Sequence, residues 1–296
     1  MIKTNISGLR DPFILYENGV YYAYGTDVVF EGDWVNTKYG CFVNKSGKLD
    51  GEWVKYEGEL YVTPVNAEKN FWAPEVHKYK GKFYMFATYF SSKTQHRGCT
   101  VLKSDTPTGP FVEITNGHAT PEDWDAIDGT LFVDEKGDPY MIFVHEWTCT
   151  EDGVGSMAFF KLSEDLTHAI SEPVEMFKAT DAAWCSGKIT DGCFMYKTES
   201  GELLMLWSNA DKDGYAEGVA RSKNGTLEGP WSHDEPLLYC KSMSGEYDGG
   251  HGMIFKDEEG VMYMTLHSPN HPNEKTKENT VIIKVREENN GLLAEI

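Results

Sequence analysis

None of the six cysteines (Cys41, Cys99, Cys149, Cys185, Cys193, Cys240) stands in a C-x-x-C pair or at metal-type spacing. No stretch approaches the ~20 apolar residues of a membrane span, and the opening residues Met1-Ile2-Lys3-Thr4-Asn5 hold no apolar leader core. Scattered thiols without a leader lead us to expect a cytoplasmic protein with reduced cysteines. No Lys/Arg cluster interrupts a net charge of −20, which argues against nucleic acid and anionic membranes as partners, since both need a basic patch. Gly245, Gly249, Gly250 and Gly252 do not open a helix after a strand, so a dinucleotide or phosphate loop fails its context test. No linker, low-complexity segment or charge block divides the 296 residues. Helical periodicity is nearly missing, and only 164–170 reads as a turn or two of helix.

What the chain does contain is alternation and aromatic rings. Apolar residues make up 40% and aromatics 13%, including eight Trp, sixteen Tyr and fifteen Phe, a mix that suits pleated strands and stacking on sugar rings. Five times a short polar cluster leads into an apolar hairpin. The clusters are Arg10-Asp11-Pro12-Phe13, Trp72-Ala73-Pro74-Glu75-Val76, Ala126-Ile127-Asp128-Gly129-Thr130, Thr190-Asp191-Gly192-Cys193-Phe194 and Asp248-Gly249-Gly250-His251-Gly252. Each is followed by an alternating strand, a Gly-containing turn and a second strand, which is the hairpin signal. A weaker echo repeats at Asn44-Lys45-Ser46-Gly47, Ser104-Asp105 and Ser222-Lys223-Asn224-Gly225, reading as a third strand, a turn and a fourth. Recurrence at roughly fifty to sixty residues marks a radial repeat. The expected fold is all-β, a five-bladed β-propeller forming one domain over 1–296. The segment 279–285 should complete a blade or seal the ring, because a propeller must protect its edges.

A carboxylate just ahead of a blade's innermost strand projects toward the axis. Asp11, Asp128 and Asp191 read as equivalent in this respect, each beside a Pro or Gly. One such Asp would be an ordinary turn former; three converging on one mouth point to chemistry. Carboxylates sharing a pocket raise one another's proton affinity, so some stay protonated while others stay charged. Glycoside hydrolysis needs that asymmetry: one acid protonates the leaving oxygen and one carboxylate activates water, with ~6.5–9.5 Å between them in inverting enzymes. Glu146, in His145-Glu146-Trp147, ends the third blade's second strand and should return to the same face, making it a second candidate donor. Trp72, Phe90, Trp147 and Trp184 border the clusters as sugar platforms or as core, with Trp72 best placed for stacking. Glu75 is a hydroxyl ligand or a backbone cap. His145 and His267 read as structural. Loops 28–37 and 93–98 should shape the pocket mouth.

The ordered set Arg10-Asp11-Pro12-Phe13, Trp72-Ala73-Pro74-Glu75-Val76, Asp128-Gly129-Thr130-Leu131-Phe132 and Gly249-Gly250-His251-Gly252 resembles glycoside hydrolase family 43 over nearly the whole chain. The resemblance implies an inverting enzyme of the α-L-arabinofuranosidase, β-xylosidase or endo-arabinanase type. It places Asp11 at the general base and Asp128 at the residue that orients the acid and raises its pKa. The family's acid is usually a Glu in a Thr-Glu-Gly-Pro type motif, whereas this chain has Thr190-Asp191-Gly192-Cys193. Asp shortens the reach by one methylene, roughly 1.5 Å. Asp191 as acid, Glu146 as acid, and a weak or inactive enzyme therefore all stay open. The resemblance also sets His251 against sugar or against a hydrated cation, commonly calcium, on the axis. No organic cofactor is expected. The implied substrate is a neutral oligosaccharide or polysaccharide, giving up terminal α-L-arabinofuranose or, second, β-D-xylose. A retaining propeller glycosidase, with carboxyls ~5–5.5 Å apart, and a non-catalytic carbohydrate-binding propeller are the rival readings.

Overall fold

The run Leu203-Leu204-Met205-Leu206-Trp207 is apolar at every position, and the computed structural model shows why. Leu203, Met205 and Trp207 face one neighbouring blade, while Leu204 and Leu206 face the other. Successive side chains of a strand point to opposite faces, so a strand sandwiched between two blades must be apolar on both. Trp207 is fully buried, and its truncation to Ala would cost about 3–5 kcal/mol. The structure describes residues 1–28, 35, 37–270 and 278–296. Most of loop 28–37 thus lies outside the described residues.

Among the described residues, five antiparallel sheets stand as blades. Blade one runs β2 (Leu9–Glu17), β3 (Val20–Val28), β4 (Thr37–Asn44), β5 (Val54–Lys55). Blade two runs β6 (Ala67–Tyr79), β7 (Lys82–Ser91), β8 (Arg97–Ser104), β9 (Val112–Glu113). Blade three runs β10 (Ala126–Val133), β11 (Pro139–His145), β12 (Ser156–Lys161), β13 (Val174–Lys178). Blade four runs β14 (Asp191–Lys197), β15 (Leu203–Ala210), β16 (Tyr215–Ser222), β17 (Trp231–Ser232). Blade five runs β18 (Gly250–Lys256), β19 (Met262–Ser268), β20 (Asn279–Glu288), and its outermost place is shared end to end. The first part of β20 pairs with β1 (Ile2–Ser7) and the rest with β21 (Gly291–Glu295). The segment 279–285 therefore completes a blade, and the N-terminal strand closes the ring beside it. Pairing of both chain ends with one strand closes the ring within a single sheet.

Apolar clusters fill the spaces between blades: Phe86 and Val101 meet Met141 and Phe143, and Ile142 and Val144 meet Met195 and Met205. Segment 164–170 is a turn rather than a helix; Ser163 Oγ and the Asp165 carboxylate accept its free N–H groups. The six cysteines are free. Among the described residues no helix is long and apolar enough to cross a membrane.

Candidate active site

All five innermost strands carry the same defect at the same place. Pairing with the second strand breaks after Arg10, Trp72, Ile127, Asp191 and Gly250, and two inner residues then oppose one. That is a β-bulge. The residue that follows each break adopts a left-handed backbone: Asp11 (φ 55°), Ala73 (42°), Asp128 (57°), Gly192 (60°) and His251 (57°). A non-glycine residue held there costs of order 1–3 kcal/mol, and such residues gather at functional sites. Asp11, Asp128 and His251 are thus equivalent positions around the axis. Asp191 is not, which corrects the reading above. It sits one residue earlier, in the place of Arg10, because Gly192 takes the bulge. A Cβ on Gly192 would fall 2.8 Å from His251 Cγ, so no side chain fits there.

The bulges free backbone N–H groups, and the neighbouring blade satisfies them. Ala73 N–H donates to Thr26 Oγ1 (2.8 Å), Asp128 N–H to Thr88 Oγ1 (3.0 Å) and His251 N–H to Ser208 Oγ (2.7 Å). Asp11 N–H faces His267 Nδ1 at 3.4 Å. Thr26, Thr88, Ser208 and His267 hold one register position in their blades' second strands. In blade three that position is Val144, which accepts nothing. The Asp128 carboxylate replaces it, taking the Gly192 N–H at 3.0 Å.

The bulges surround a cavity of about 360 Å³. Arg10, Asp11, Asp128, Asp191 and His251 line it, together with Trp72, Glu146 and Trp147. Asp11 receives Thr26 Oγ1–H at 2.8 Å and lies 3.2 Å from His251 Nδ1 and 3.5 Å from Arg10 Nε. Burial opposes its charge, but the His251 cation and Arg10 outweigh burial and hold the carboxyl well below the usual carboxylate range. Asp128 goes the other way. Burial, reinforced by the charges of Asp191 and Asp11, pushes it up to about 7 against the pull of His251. Burial also raises Asp191, opposed by His251, Arg10 and the Tyr215 hydroxyl that donates to Oδ2 at 3.0 Å. Burial disfavours the charged form of His251, yet Asp11 and Asp128 carry it up to about 10. One carboxylate is therefore held charged while two nearby carboxyls hold protons more readily.

Glu146 lines the cavity as expected, but both its oxygens are occupied: Arg97 Nε donates to Oε2 at 2.6 Å and Nη2 to Oε1 at 2.9 Å. Arg97 opens β8, at the end of the stretch 93–98. Glu75 and Phe90 do not line the cavity, a second correction. Glu75 is buried and paired with His77, two residues along the same strand face (2.9 Å). Phe90 lies under the Lys69 ammonium, 4.3 Å from its ring centre. Trp184 is packing, its ring 4.9 Å from Trp207. His145 stacks on Trp124 at 3.7 Å and pairs with Glu175.

Four contributors escaped the sequence reading. His267 is fully buried beside Asp11, and burial with Arg10 keeps it neutral, its pKa far below the ordinary value. Thr26 orients Asp11, and Tyr215 orients Asp191. Glu217 is fully buried below His251 and accepts Ser208 Oγ–H (2.5 Å) and Gly252 N–H (2.9 Å). A signal for the first two existed: Thr26, Ser208 and His267 each end an apolar run in the second strand, and Thr88 interrupts one. Glu217 was detectable only as a charge inside Tyr215-Ala216-Glu217-Gly218-Val219.

Calcium favours six to eight oxygen ligands. His251 commits Nδ1 to Asp11, and among the described residues no three His, Cys, Asp or Glu side chains are grouped to hold a metal. The residues present do not fit a directly ligated calcium ion, and no step below passes through one.

Fold and site together define a five-bladed β-propeller with opposed carboxyl groups on its axis. The model of Glycosyl hydrolases family 43 matches residues 8–293, and the chain belongs to that family. It is 33% identical to an endo-arabinase from Bacteroides thetaiotaomicron VPI-5482, over 98% of this chain and 99% of that one, with a TM-score of 0.82. An endo-1,4-beta-xylanase from the same organism is 25% identical, over 100% of this chain and 97% of that one, with a TM-score of 0.80. The extracellular exo-alpha-(1->5)-L-arabinofuranosidase ArbA of Cellvibrio japonicus (strain Ueda107) is 25% identical over 246 residues. That match takes in 75% of this chain and 66% of the relative's length.

Proposed function

We propose that this protein is an inverting glycosidase that removes terminal pentose, α-L-arabinofuranose first, from arabinan- or arabinoxylan-derived saccharides. The observation that carries the reading is the opposite displacement of Asp11 and of Asp128 and Asp191 within one cavity. Carboxyl groups whose environments drive them apart divide into base and acid. Asp11, already charged, orients a water and takes its proton during attack on the anomeric carbon. A base this weak suffices, because water bonding to an oxocarbenium-like centre becomes strongly acidic. Asp191 gives its proton to the departing oxygen, leaving Asp11 protonated and Asp191 charged until solvent resets both. Asp128 acts on Asp191 through the backbone, since its carboxylate holds the next amide, Gly192 N–H. Asp191 is favoured over Glu146 as donor, because the Arg97 guanidinium bonded to both Glu146 oxygens stabilises its charged form and opposes the rise that burial imposes.

The endo-arabinase and arabinofuranosidase relatives favour arabinose; the xylanase relative keeps β-D-xylose as the second reading. Nitrophenol release from the α-L-arabinofuranoside against the β-D-xylopyranoside decides between them. Proton NMR of the first-formed anomer should show inversion; retention would indicate a covalent intermediate. Saccharide binding without any turnover would leave a non-catalytic lectin-like propeller.

A further inference from the structure

Between the second and third blades, one side chain ties together two residues that line the cavity, Glu146 and Trp72. Arg97 stands at the start of β8, with its backbone N–H on Asp125 Oδ1 (2.8 Å). Its guanidinium grips Glu146 with two bonds and reaches Thr148 Oγ1 at 3.3 Å. The guanidinium carbon also lies 5.7 Å from the Trp72 ring centre. Glu146 is buried, while Trp72 and Trp147 are partly exposed along the cavity. A planar fork fits a carboxylate in one orientation and rests on an aromatic face; a lysine ammonium does neither as well.

We propose that Arg97 is a positioning residue that makes Glu146 a fixed acceptor for a sugar hydroxyl and Trp72 a fixed stacking platform. Together they bind the saccharide ring adjoining the one attacked. The chemistry of the wall suits a neutral ring. The two donors of Arg97 cancel the charge of Glu146 but leave its oxygens further lone pairs to accept O–H groups, and the indole covers an apolar C–H face. The inference rests on the glycosidase reading and explains what a cavity-lining carboxylate does there without serving as acid.

The experiment compares R97K and E146Q with the unsubstituted protein on an arabino-oligosaccharide, alongside dissociation constants for that saccharide in a D191N background. Expected is a rise in KM of tenfold or more with kcat moving less than about threefold, matched by weaker binding in the D191N background. R97K keeps the charge, so a fold lost through an unpaired Glu146 is avoided, and thermal unfolding reports it directly. A collapse of kcat in E146Q with unchanged KM, together with loss of the alkaline limb of the pH profile, would make Glu146 the acid and overturn the proposal. So would binding in D191N that both substitutions leave untouched. No turnover of any arabinoside or xyloside by the unsubstituted protein would instead sink the glycosidase reading, while the binding arm still tests the wall.

Discussion

The carboxylate of Asp128 accepts the backbone N–H of Gly192 at 3.0 Å, joining blade three to blade four directly beside Asp191. In the other blades a hydroxyl or imidazole of the second strand meets the corresponding amide. Blade three has Val144 instead, so Asp128 both lines the cavity and takes the acceptor's place between the blades.

That double role separates two substitutions. D128N keeps an acceptor for Gly192 N–H and should unfold near the parent temperature while losing about 10²-fold or more in kcat/KM. D128A leaves the amide unpaired and should lose a further 1–3 kcal/mol or so in stability. Denaturant titration of both variants checks this, and equal stabilities would remove the latch.

Thr26 donates to Asp11 and receives Ala73 N–H. T26V keeps the shape and removes both bonds. We expect kcat to fall with KM little changed, and a stability loss of about 1–3 kcal/mol from the orphaned amide. Steady-state kinetics beside thermal unfolding would show it; full activity would mean that Asp11 needs no such support.

The Tyr215 hydroxyl stabilises the charged form of Asp191 and so lowers its pKa. An acid must be protonated to act, and activity falls as pH rises through its pKa. Y215F removes the stabilising bond, raises that pKa and should move the alkaline limb of kcat/KM to higher pH. A limb that stays in place would assign it to a group other than Asp191.

Burial pushes Glu217 up to about 7 against an ordinary value of 4.5, despite its bonds to Ser208 and Gly252. Below the ordinary value the group is protonated in both folded and unfolded chains and contributes nothing. As pH rises toward 7 only the unfolded chain releases the proton, so the folded state loses stability by up to ~1.4 kcal/mol per pH unit. E217Q should match the parent near pH 4.5 and exceed it at pH 8, measured by chemical denaturation. A variant less stable at pH 8 would show that Glu217 is needed as an anion.

Much of the fold was legible because blades repeat. Alternation marked the strands, and five clusters marked the axial ends. Asp11, Asp128, Asp191, Glu146, Trp72, Trp147 and His251 do line one cavity. Glu75 and Phe90 do not, since a bulge inside β6 and the run of β7 decide which side faces the axis, and neither is written in spacing alone. His267 read as structural because its partner Asp11 is 256 residues away. The mistaken equivalence of Asp191 came from counting to the nearest glycine. Aspartates precede Gly129 and Gly192 alike, but in blade three the Asp takes the left-handed bulge position and in blade four the Gly does, where His251 leaves no room for a side chain.

Composition and period thus determined an all-β radial fold and brought the carboxylates to one end, because local alternation and turns act over short stretches of chain. Which carboxyl is held charged, which takes up a proton more readily and which is tied down by arginine was decided only when distant blades closed the ring. Those properties depend on burial and on charges a few ångströms away, and such neighbours come from other blades.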